Sequence, residues 1–318
     1  MLQFILKRIL VSVLLFLLLT FVLYLIVQFL PSYAENDINK MVMQNGSITE
    51  QQKLDINTKY NLDKPVIPRY AAWIGSLFDG TWSHSFANLN TTVLSVIKTK
   101  IKATLILMSL GLAFAVLLSI PLGMRAAIRP GGAADGVTNA LTFTGISIPN
   151  FILALLLIFL FSAKLGILPS MVVQTSRYPY LAQMLLPIVC VMISVIGPIV
   201  KQVRGSMLDV MNMEYVKTAR AKGIPENQVV RRHVFRNAAI PVVTAIGLAV
   251  PMLVGGSVVI EQIFTINGIG RTLVNAVYAP ADVPLIMGIV AIQVVVVLVV
   301  NLALDIIYTL LDPRIAYQ

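Results

Sequence analysis

The sequence predicts an all-α integral membrane protein with six transmembrane helices and a small extracytoplasmic segment between the first two. Of its 318 residues, 58 % are hydrophobic and 12 % are charged, and the mean hydropathy is +0.86. A soluble domain of this length could not bury so much apolar surface, so lipid must be the solvent for most of the chain. The apolar residues also fall into six runs that can each cross a hydrocarbon core of about 30 Å at about 1.5 Å per residue.

The first apolar run is predicted to be a permanent span and not a signal peptide. It follows Lys7 and Arg8 and is 22 residues long, whereas the apolar part of a signal peptide has about 7–15 residues. The six predicted spans are residues 9–30, 103–124, 137–163, 181–200, 238–260 and 283–304.

The distribution of positive charge predicts that both termini are cytoplasmic. With the N-terminus inside, 13 Lys and Arg residues lie on the cytoplasmic side and three in the short outer loops. Positive charge is retained on the cytoplasmic side during insertion. The Lys and Arg residues of a segment as long as residues 31–102 contribute only partly to this rule. Three lysines on the outer side oppose this charge rule locally: Lys98, Lys100 and Lys102. Their side chains are expected to snorkel at the outer interface.

The chain is divided into an N-terminal transmembrane helix at residues 1–30, an extracytoplasmic segment at 31–102, a five-helix core at 103–309 and a cytoplasmic tail at 310–318. Thr49 and Gln52 form a capping-box pattern that predicts a short helix to about residue 60. Four aromatic residues of the extracytoplasmic segment are expected to anchor it at the membrane surface, with substrate contact as the less favoured alternative. They are Trp73, Phe78, Trp82 and Phe86.

Proline and glycine recur inside the predicted spans. Such residues indicate either tight helix packing or helices broken beside a watery cavity, and together they favour helices that move past one another. They are Pro121, Pro149, Pro187, Pro198, Pro251, Gly247, Gly255 and Gly256.

A basic loop at residues 201–238 separates the fourth and fifth spans. It holds eight Lys and Arg residues against three acids, a net charge of +5. A helix is expected to stop at Gly223, Pro225 suits the first turn of a second helix, and Pro241 marks the return into lipid. Two short helices joined at a glycine would form a protrusion that another protein can bind.

The chain shows none of the patterns expected of an enzyme or of a self-powered transporter. It has no phosphate-binding glycine loop, no nucleophile–base pair and no metal-ligand cluster, so we expect no catalytic site and no bound cofactor. The single cysteine, Cys190, excludes an internal disulfide, and the basic charge follows membrane topology and does not indicate nucleic acid. Ionisable residues are nearly absent from the spans, which argues against an ion-coupled carrier. A partner must therefore supply the energy.

The sequence EYVKTARAKG at residues 214–223 is the strongest part of a resemblance to a known protein family. That resemblance covers essentially the whole chain. Residues 268–271 (GIGR), 282–284 (DVP), 312–314 (DPR) and 147–151 (SIPNF) extend it. The chain resembles the membrane permease subunit of bacterial ABC importers of the oligopeptide/dipeptide/nickel class, the B-type subunit. It departs at residues 80–85 (GTWSHS), where the family commonly has Gly-Asp-Leu-Gly-x-Ser, and at residues 61–63 (NLD), where Gly-Leu-Asp is common.

The resemblance implies a type I ABC importer permease fold in the bacterial cytoplasmic membrane. Its implied partners are a second homologous permease subunit, two cytoplasmic ABC ATPase subunits that use ATP and Mg, and an extracytoplasmic substrate-binding protein. It also implies that a short helix around residues 219–224 sits in a groove on the ATPase. The implied coupling residues are Glu214, Thr218, Ala219, Arg220, Ala221, Lys222, Gly223 and Ile224.

The sequence leaves alternatives open for the cargo and for the roles of individual residues in the basic loop. The favoured cargo is short peptides, the second is nickel or a metal-chelating metallophore, and a channel or ion-coupled secondary transporter is the least favoured function. Within the basic loop, Arg231 and Arg232 could serve only as topological charges, and Glu214 is expected to be structural. The small size of Ala219 and Ala221 suggests close approach by another surface.

Overall fold

A computed structural model describes residues 2–28, 64–80, 82–88, 90–278 and 282–311, and this part of the chain is almost entirely helical. Two compact units are formed, one by residues 1–104 and 267–299 and the other by residues 105–266 and 300–318. The predicted helix at 49–60, the motifs at 61–63 and 312–314, and most of the predicted tail lie outside the described residues.

The described helices are numbered here in chain order. They are α1 (Leu2–Gln28), α2 (Val66–Ser76), α3 (Val93–Ile128), α4 (Ala133–Ser147), α5 (Asn150–Leu157), a π-helical turn (Ile158–Lys164), α6 (Tyr180–Met211), α7 (Glu214–Ala221), α8 (Glu226–Gln228), a second π-helical turn (Val229–Phe235), α9 (Arg236–Ile263), α10 (Ile269–Val277) and α11 (Val283–Leu311).

The prediction of an all-helical membrane protein is confirmed. Within the described residues, five helices are long and apolar enough to span a membrane: Ile5–Val27, Val93–Ile128, Tyr180–Met211, Glu226–Ile263 and Val283–Thr309. The bent pair formed by α4 and α5 with its π-helical turn raises the number to six if it counts as one span.

The third predicted span, residues 137–163, is not one continuous helix. α4 ends at Ser147, α5 begins at Asn150, and their axes differ by 112°. The break falls at Ile148, which is extended (φ −95°, ψ 117°) because the ring of Pro149 disfavours helical backbone in the preceding residue. Proline and glycine inside the predicted spans indicated either tight packing or broken helices, and at Pro149 the structure shows the break.

The core of the second unit is built around α6, which packs against α4 and α9. The backbones of α4 and α6 touch: a Cβ at Gly145 would lie 2.7 Å from the carbonyl oxygen of Ile193, and one at Gly197 would lie 2.9 Å from Cα of Thr142. Small residues allow this approach inside a membrane. Glycine therefore serves tight packing at these positions.

The prolines inside the spans have unequal effects. Pro121, Pro187, Pro198 and Pro251 lie within helices that continue past them, whereas Pro149 stands where two helices meet. Of the two interpretations of the Pro/Gly pattern, helix breakage is seen at Pro149 alone among these five.

A buried ion pair joins α4 to α6. The guanidinium of Arg204 lies 2.7 Å from Oδ1 of Asp135, and its Nη2 donates to Oδ2 at 3.1 Å. The main-chain N–H of Gly131 also donates to Oδ2, at 2.8 Å. Asp135 is buried, and Oδ2 of its carboxylate accepts both hydrogen bonds, whereas Oδ1 meets Nε of Arg204 in an ionic contact without hydrogen-bond geometry. Arg204, counted from the sequence as a topological charge, therefore also ties two helices together.

The first unit has its own apolar core, formed by α1, α2, residues 82–88 and α10 together with the first turns of α3 and α11. Trp73 and Phe86 are buried in this core, so the expectation that they anchor the segment at the membrane surface was wrong for these two. Periodicity alone could not show which aromatic side chains face inward. Lys100, expected to snorkel, donates instead to Oδ1 of Asn267 at 2.6 Å.

Candidate functional site

The candidate site is the α7 helix of the basic loop, which follows α6 after two linking residues. Met213 has extended backbone (φ −70°, ψ 145°) and starts the helix. Glu214 lies in the first turn and Arg220 in the last, where each charge interacts favourably with the helix dipole. The sequence thus specifies both ends of a helix of only 8 residues.

The turn after α7 is closed by Gly223, as predicted. Gly223 has φ +76°, its N–H donates to the carbonyl of Arg220 at 2.9 Å, and the N–H of Ile224 donates to the carbonyl of Ala219 at 3.4 Å. These two bonds and the left-handed glycine define a Schellman motif. A Cβ added at Gly223 would meet no atom within 4 Å, so glycine is needed here for its backbone conformation and not for lack of space.

The chain after the turn differs from the prediction of a second short helix. Pro225 precedes Glu226, and the helix then runs through the second π-helical turn and α9 to Ile263 without a break. Pro241 lies inside this helix, and its place as the point of return into lipid stays a prediction. In the second π-helical turn, Arg231 and Arg232 are exposed on one side and the valines are buried on the other. The helix can therefore continue without a break through the basic part of the sequence.

One face of α7 is buried within this chain. Val216 and Ala219 are buried, and α7 contacts the second π-helical turn, which buries Val229, Val230 and Val234. The small size of Ala219 is thus explained by packing inside the protein. Ala221, Lys222 and Gly223 are exposed, and Ile224 is half-buried.

Two ion pairs hold the exposed side of the site. Nζ of Lys217 lies 2.7 Å from Oε1 of Glu214, which agrees with the structural role expected for Glu214. Arg220 binds Glu226 across the turn through two bonds, Nη2 to Oε1 at 2.8 Å and Nε to Oε2 at 3.1 Å. The hydrogen bonds that Arg220 donates to the Glu226 carboxylate raise the pKa of Arg220. Thr218 donates its hydroxyl to the carbonyl of Glu214 at 3.0 Å.

Two exposed apolar residues at the site, Met213 and Tyr215, escaped the sequence analysis. Helical spacing alone could not have found Tyr215, because it lies four residues before the buried Ala219 and neighbours it on the helix surface. Exposed apolar side chains among charges are typical of a surface that another protein covers. The site therefore presents a stiff, capped helix with a mixed apolar and basic face.

The described part of the chain thus combines several helices able to span a membrane with a short, polar and largely exposed helix, the architecture of an integral membrane protein. The family described as "Binding-protein-dependent transport system inner membrane component" matches residues 119–317, and a family for the N-terminal part of such components matches residues 1–108. The chain belongs to this family and is a multi-pass inner membrane protein.

Relatives of the chain carry names of peptide permeases. It is 36 % identical over 281 residues to the oligopeptide transport system permease protein AppB of Bacillus subtilis (strain 168), covering 87 % of this chain and 89 % of that protein. It is 35 % identical to a putative peptide permease protein of Brucella ovis and 30 % identical to the dipeptide transport system permease protein DppB of Lactococcus lactis subsp. cremoris. Both matches cover 99 % of each chain.

The fold is similar to that of a solved ABC transporter. A chain from inward-facing conformations of the MetNI methionine ABC transporter aligns with a TM-score of 0.56 over 69 % of this chain and 97 % of that chain. The sequence identity is 19 %, so this likeness shows the fold alone. The fold predicted from the resemblance, that of a type I ABC importer permease, is confirmed.

Proposed function

We propose that this chain is the membrane permease of an ATP-driven importer that carries short peptides across the bacterial cytoplasmic membrane. The observation that supports this cargo is the match, over 99 % of the chain, to proteins named as peptide and dipeptide permeases. Both termini and the basic loop face the cytoplasm, in keeping with the excess of positive charge in the loop. The chain itself performs no catalysis and binds no cofactor.

The energy comes from two cytoplasmic ATPase subunits that use ATP and Mg. A second homologous permease completes the membrane part, and an extracytoplasmic binding protein delivers the peptide. This partner set follows from membership of a family that depends on binding proteins. The nickel or metallophore cargo remains the weaker alternative, because the relatives reported above are named for peptides.

The exposed face of α7 is the contact with an ATPase. Tyr215, Ala221 and Lys222 lie on the exposed side of α7 and its turn, and the Schellman turn and the Arg220–Glu226 pair keep that side in one shape. The buried face joins α7 to the second π-helical turn, which continues into α9. Movement of the ATPases would therefore be passed to α6 and α9 through packed helices, and it would shift the permease between two conformations.

The test compares two alanines that are both exposed in helices. Ala221→Trp places a bulky side chain on the proposed contact, and Ala133→Trp makes the same change at the start of α4. The complex is reconstituted in liposomes with ATPases, partner permease and binding protein, and ATP-dependent uptake of labelled di- and oligopeptides is measured. Ala221→Trp should reduce uptake and co-purification of the ATPase by about tenfold or more, and Ala133→Trp should leave both near the parent value.

Two results would contradict the proposal. Equal uptake by the two variants would exclude α7 as the contact, and uptake of nickel complexes in place of peptides would overturn the cargo. Flux through the lone chain without ATPases would instead indicate a channel or carrier.

A further inference from the structure

The helix α2 packs along the middle of α1 through Tyr70. The Tyr70 hydroxyl lies 2.9 Å from the main-chain carbonyl oxygen of Leu17 and 2.9 Å from Oγ1 of Thr20. Its ring makes edge contacts with Phe21 and Tyr24, with ring centroids 5.1 and 5.6 Å apart. The contact therefore extends over two turns of α1, from Leu17 to Tyr24.

This part of α1 lies deep in the membrane. Leu17 is nine residues beyond Arg8, about 14 Å at about 1.5 Å per residue, which is close to half of a hydrocarbon core of about 30 Å. In the same turns, α1 exposes Leu18 (57 %), Val22 (44 %) and Ile26 (57 %). A row of exposed aliphatic side chains on an apolar span faces lipid, so whatever packs beside Leu17 and Thr20 lies at lipid depth.

The outward face of α2 has the composition of a lipid-facing surface. Ile67 (70 % exposed), Ala71, Ala72 and Gly75 lie on it, and Phe78 (87 % exposed) follows in the next turn. No charged residue is exposed between Lys64 and Asp79. Arg69, the one charge within the helix, is half-buried and engaged in contacts of its own. A helix facing water would place polar residues on this side.

The C-terminal end of α2 is satisfied without water. The last four carbonyl oxygens of a helix lack partners within it. Here Ser76 Oγ donates to the carbonyl of Trp73 at 2.7 Å, and the N–H groups of Leu77, Phe78 and Trp82 donate to the carbonyls of Ile74, Gly75 and Ser76 at 3.2, 3.0 and 3.2 Å.

The N-terminal end of α2 carries few unpaired donors. Pro65 and Pro68 have no N–H, which removes two of the four donors that a helix start leaves unpaired. Backbone at membrane depth requires this kind of internal satisfaction.

We propose that α2 is a re-entrant helix embedded in the half of the bilayer away from Arg8, with its outward face in contact with lipid acyl chains. At 11 residues it is about 16 Å long, too short to span the membrane. The occupant of the face is lipid and not a protein partner, because the face lies at the depth of the exposed aliphatic row on α1. The proposal does not depend on the transported cargo.

The test uses nitroxide spin labels on single introduced cysteines, since the only native cysteine, Cys190, is buried. Ala72→Cys probes the face, Leu18→Cys is the lipid-facing reference on α1, and Lys64→Cys is the reference for water. The assembled complex is reconstituted in phospholipid bilayers, and the collision rates of each label with oxygen and with a water-soluble nickel chelate are measured. Uptake and the thermal midpoint of each variant are recorded first, so that a misfolded variant is replaced by Ala71→Cys.

Ala72→Cys should resemble Leu18→Cys, with an oxygen-to-nickel accessibility ratio about tenfold or more above that of Lys64→Cys. A ratio like that of Lys64→Cys would place α2 in water and overturn the proposal. Low accessibility to both reagents would show that a protein covers the face and would also overturn it. None of these results bears on peptide uptake, so the two proposals stand or fall separately.

Discussion

The connection at residues 82–88 and the turn at residues 221–226 both use left-handed backbone, but they stabilise it differently. In the first, Trp82 (φ 56°) and Ser83 (φ 70°) are not glycines, and the segment is held by Asp282, which is only 3 % exposed. The carboxylate of Asp282 accepts the Ser85 hydroxyl and the N–H of Phe86, the latter at 3.0 Å. Unfavourable backbone persists where surrounding contacts over-determine it.

The second turn carries little strain and few internal contacts. Its left-handed residue is Gly223, which adopts φ +76° without steric cost, and its ion pair, Arg220–Glu226, is largely exposed. Residues 82–88 are therefore fixed by the interior of the first unit, whereas the α7 turn is preorganised by local chemistry and leaves its surface open to a partner.

The largest expected effect is that of Asp282→Ala. The change leaves four donors without their acceptor: the Ser85 hydroxyl and the N–H groups of Phe86, Ala87 and Leu285. Ala87 is exposed and its N–H can bond to water, but the other three bonds are buried. Each unsatisfied buried donor costs about 1–3 kcal/mol, so the free energy of unfolding should fall by about 3 kcal/mol or more. Thermal unfolding in detergent measures the loss.

Glu214→Ala is the matched control for Asp282, because the Glu214 side chain is 87 % exposed and makes an exposed ion pair with Lys217. It should change the thermal midpoint little. Asp282→Asn keeps one acceptor oxygen, so its thermal midpoint should lie between those of Asp282→Ala and Glu214→Ala. Similar midpoints for Asp282→Ala and Glu214→Ala would show that the buried carboxylate does not hold the connection.

Gly223→Val should have the next largest effect. A β-branched residue in the left-handed region costs about 1–2 kcal/mol and would distort the turn at the end of α7. Peptide uptake should fall with it, whereas Gly223→Asn should retain most activity because asparagine tolerates this conformation. Gly205→Ala serves as the control, since it lies inside α6 with no atom within 4 Å of the added Cβ. Equal uptake by the valine and asparagine variants would contradict the role assigned to the backbone.

Ser83→Gly should stabilise the protein. Ser83 stands at φ 70°, a left-handed conformation that glycine adopts without steric cost. Relief of the left-handed strain should add up to about 1 kcal/mol to the free energy of unfolding. The same change at Ser109, inside α3, should instead cost about 0.5 kcal/mol. A loss at both positions would show that Ser83 is not strained.

Arg220→Ala should have the smallest effect. An ion pair at this exposure contributes about 0.2–1 kcal/mol, and that contribution should shrink as salt is added. The raised pKa of Arg220 means that its stabilisation is present below the unfolded-state pKa and is lost only as the pH rises through the higher folded-state value. Stability differences between parent and variant should therefore be constant between about pH 6 and 9. A strong pH dependence in that range would assign the effect to another group.

The helical spans and the turn at Gly223 could be predicted because each depends on neighbours in sequence. Apolar length predicts a span, and a glycine after a short amphipathic segment predicts a helix end. The break at Ile148 was also encoded locally, in Pro149, but the sequence did not distinguish it from the prolines that helices accommodate. The burial of Ala219 and the exposure of Tyr215 required knowledge of which face of α7 packs on the second π-helical turn.

Three features were specified by the sequence alone: the membrane location of the protein, the positions of its helices and the closure of the α7 turn. Hydrophobicity and backbone preference specify them because both act over a few neighbouring residues. Three contacts came from the tertiary structure alone: the pairing of Asp135 with Arg204, the bonds of Asp282 to residues 82–88 and the contact of Tyr70 in α2 with Leu17 in α1. These contacts join residues separated by 69, 196 and 53 positions. No local pattern specifies which distant partner meets a buried charge or hydroxyl, because that choice is made by the packing of whole helices.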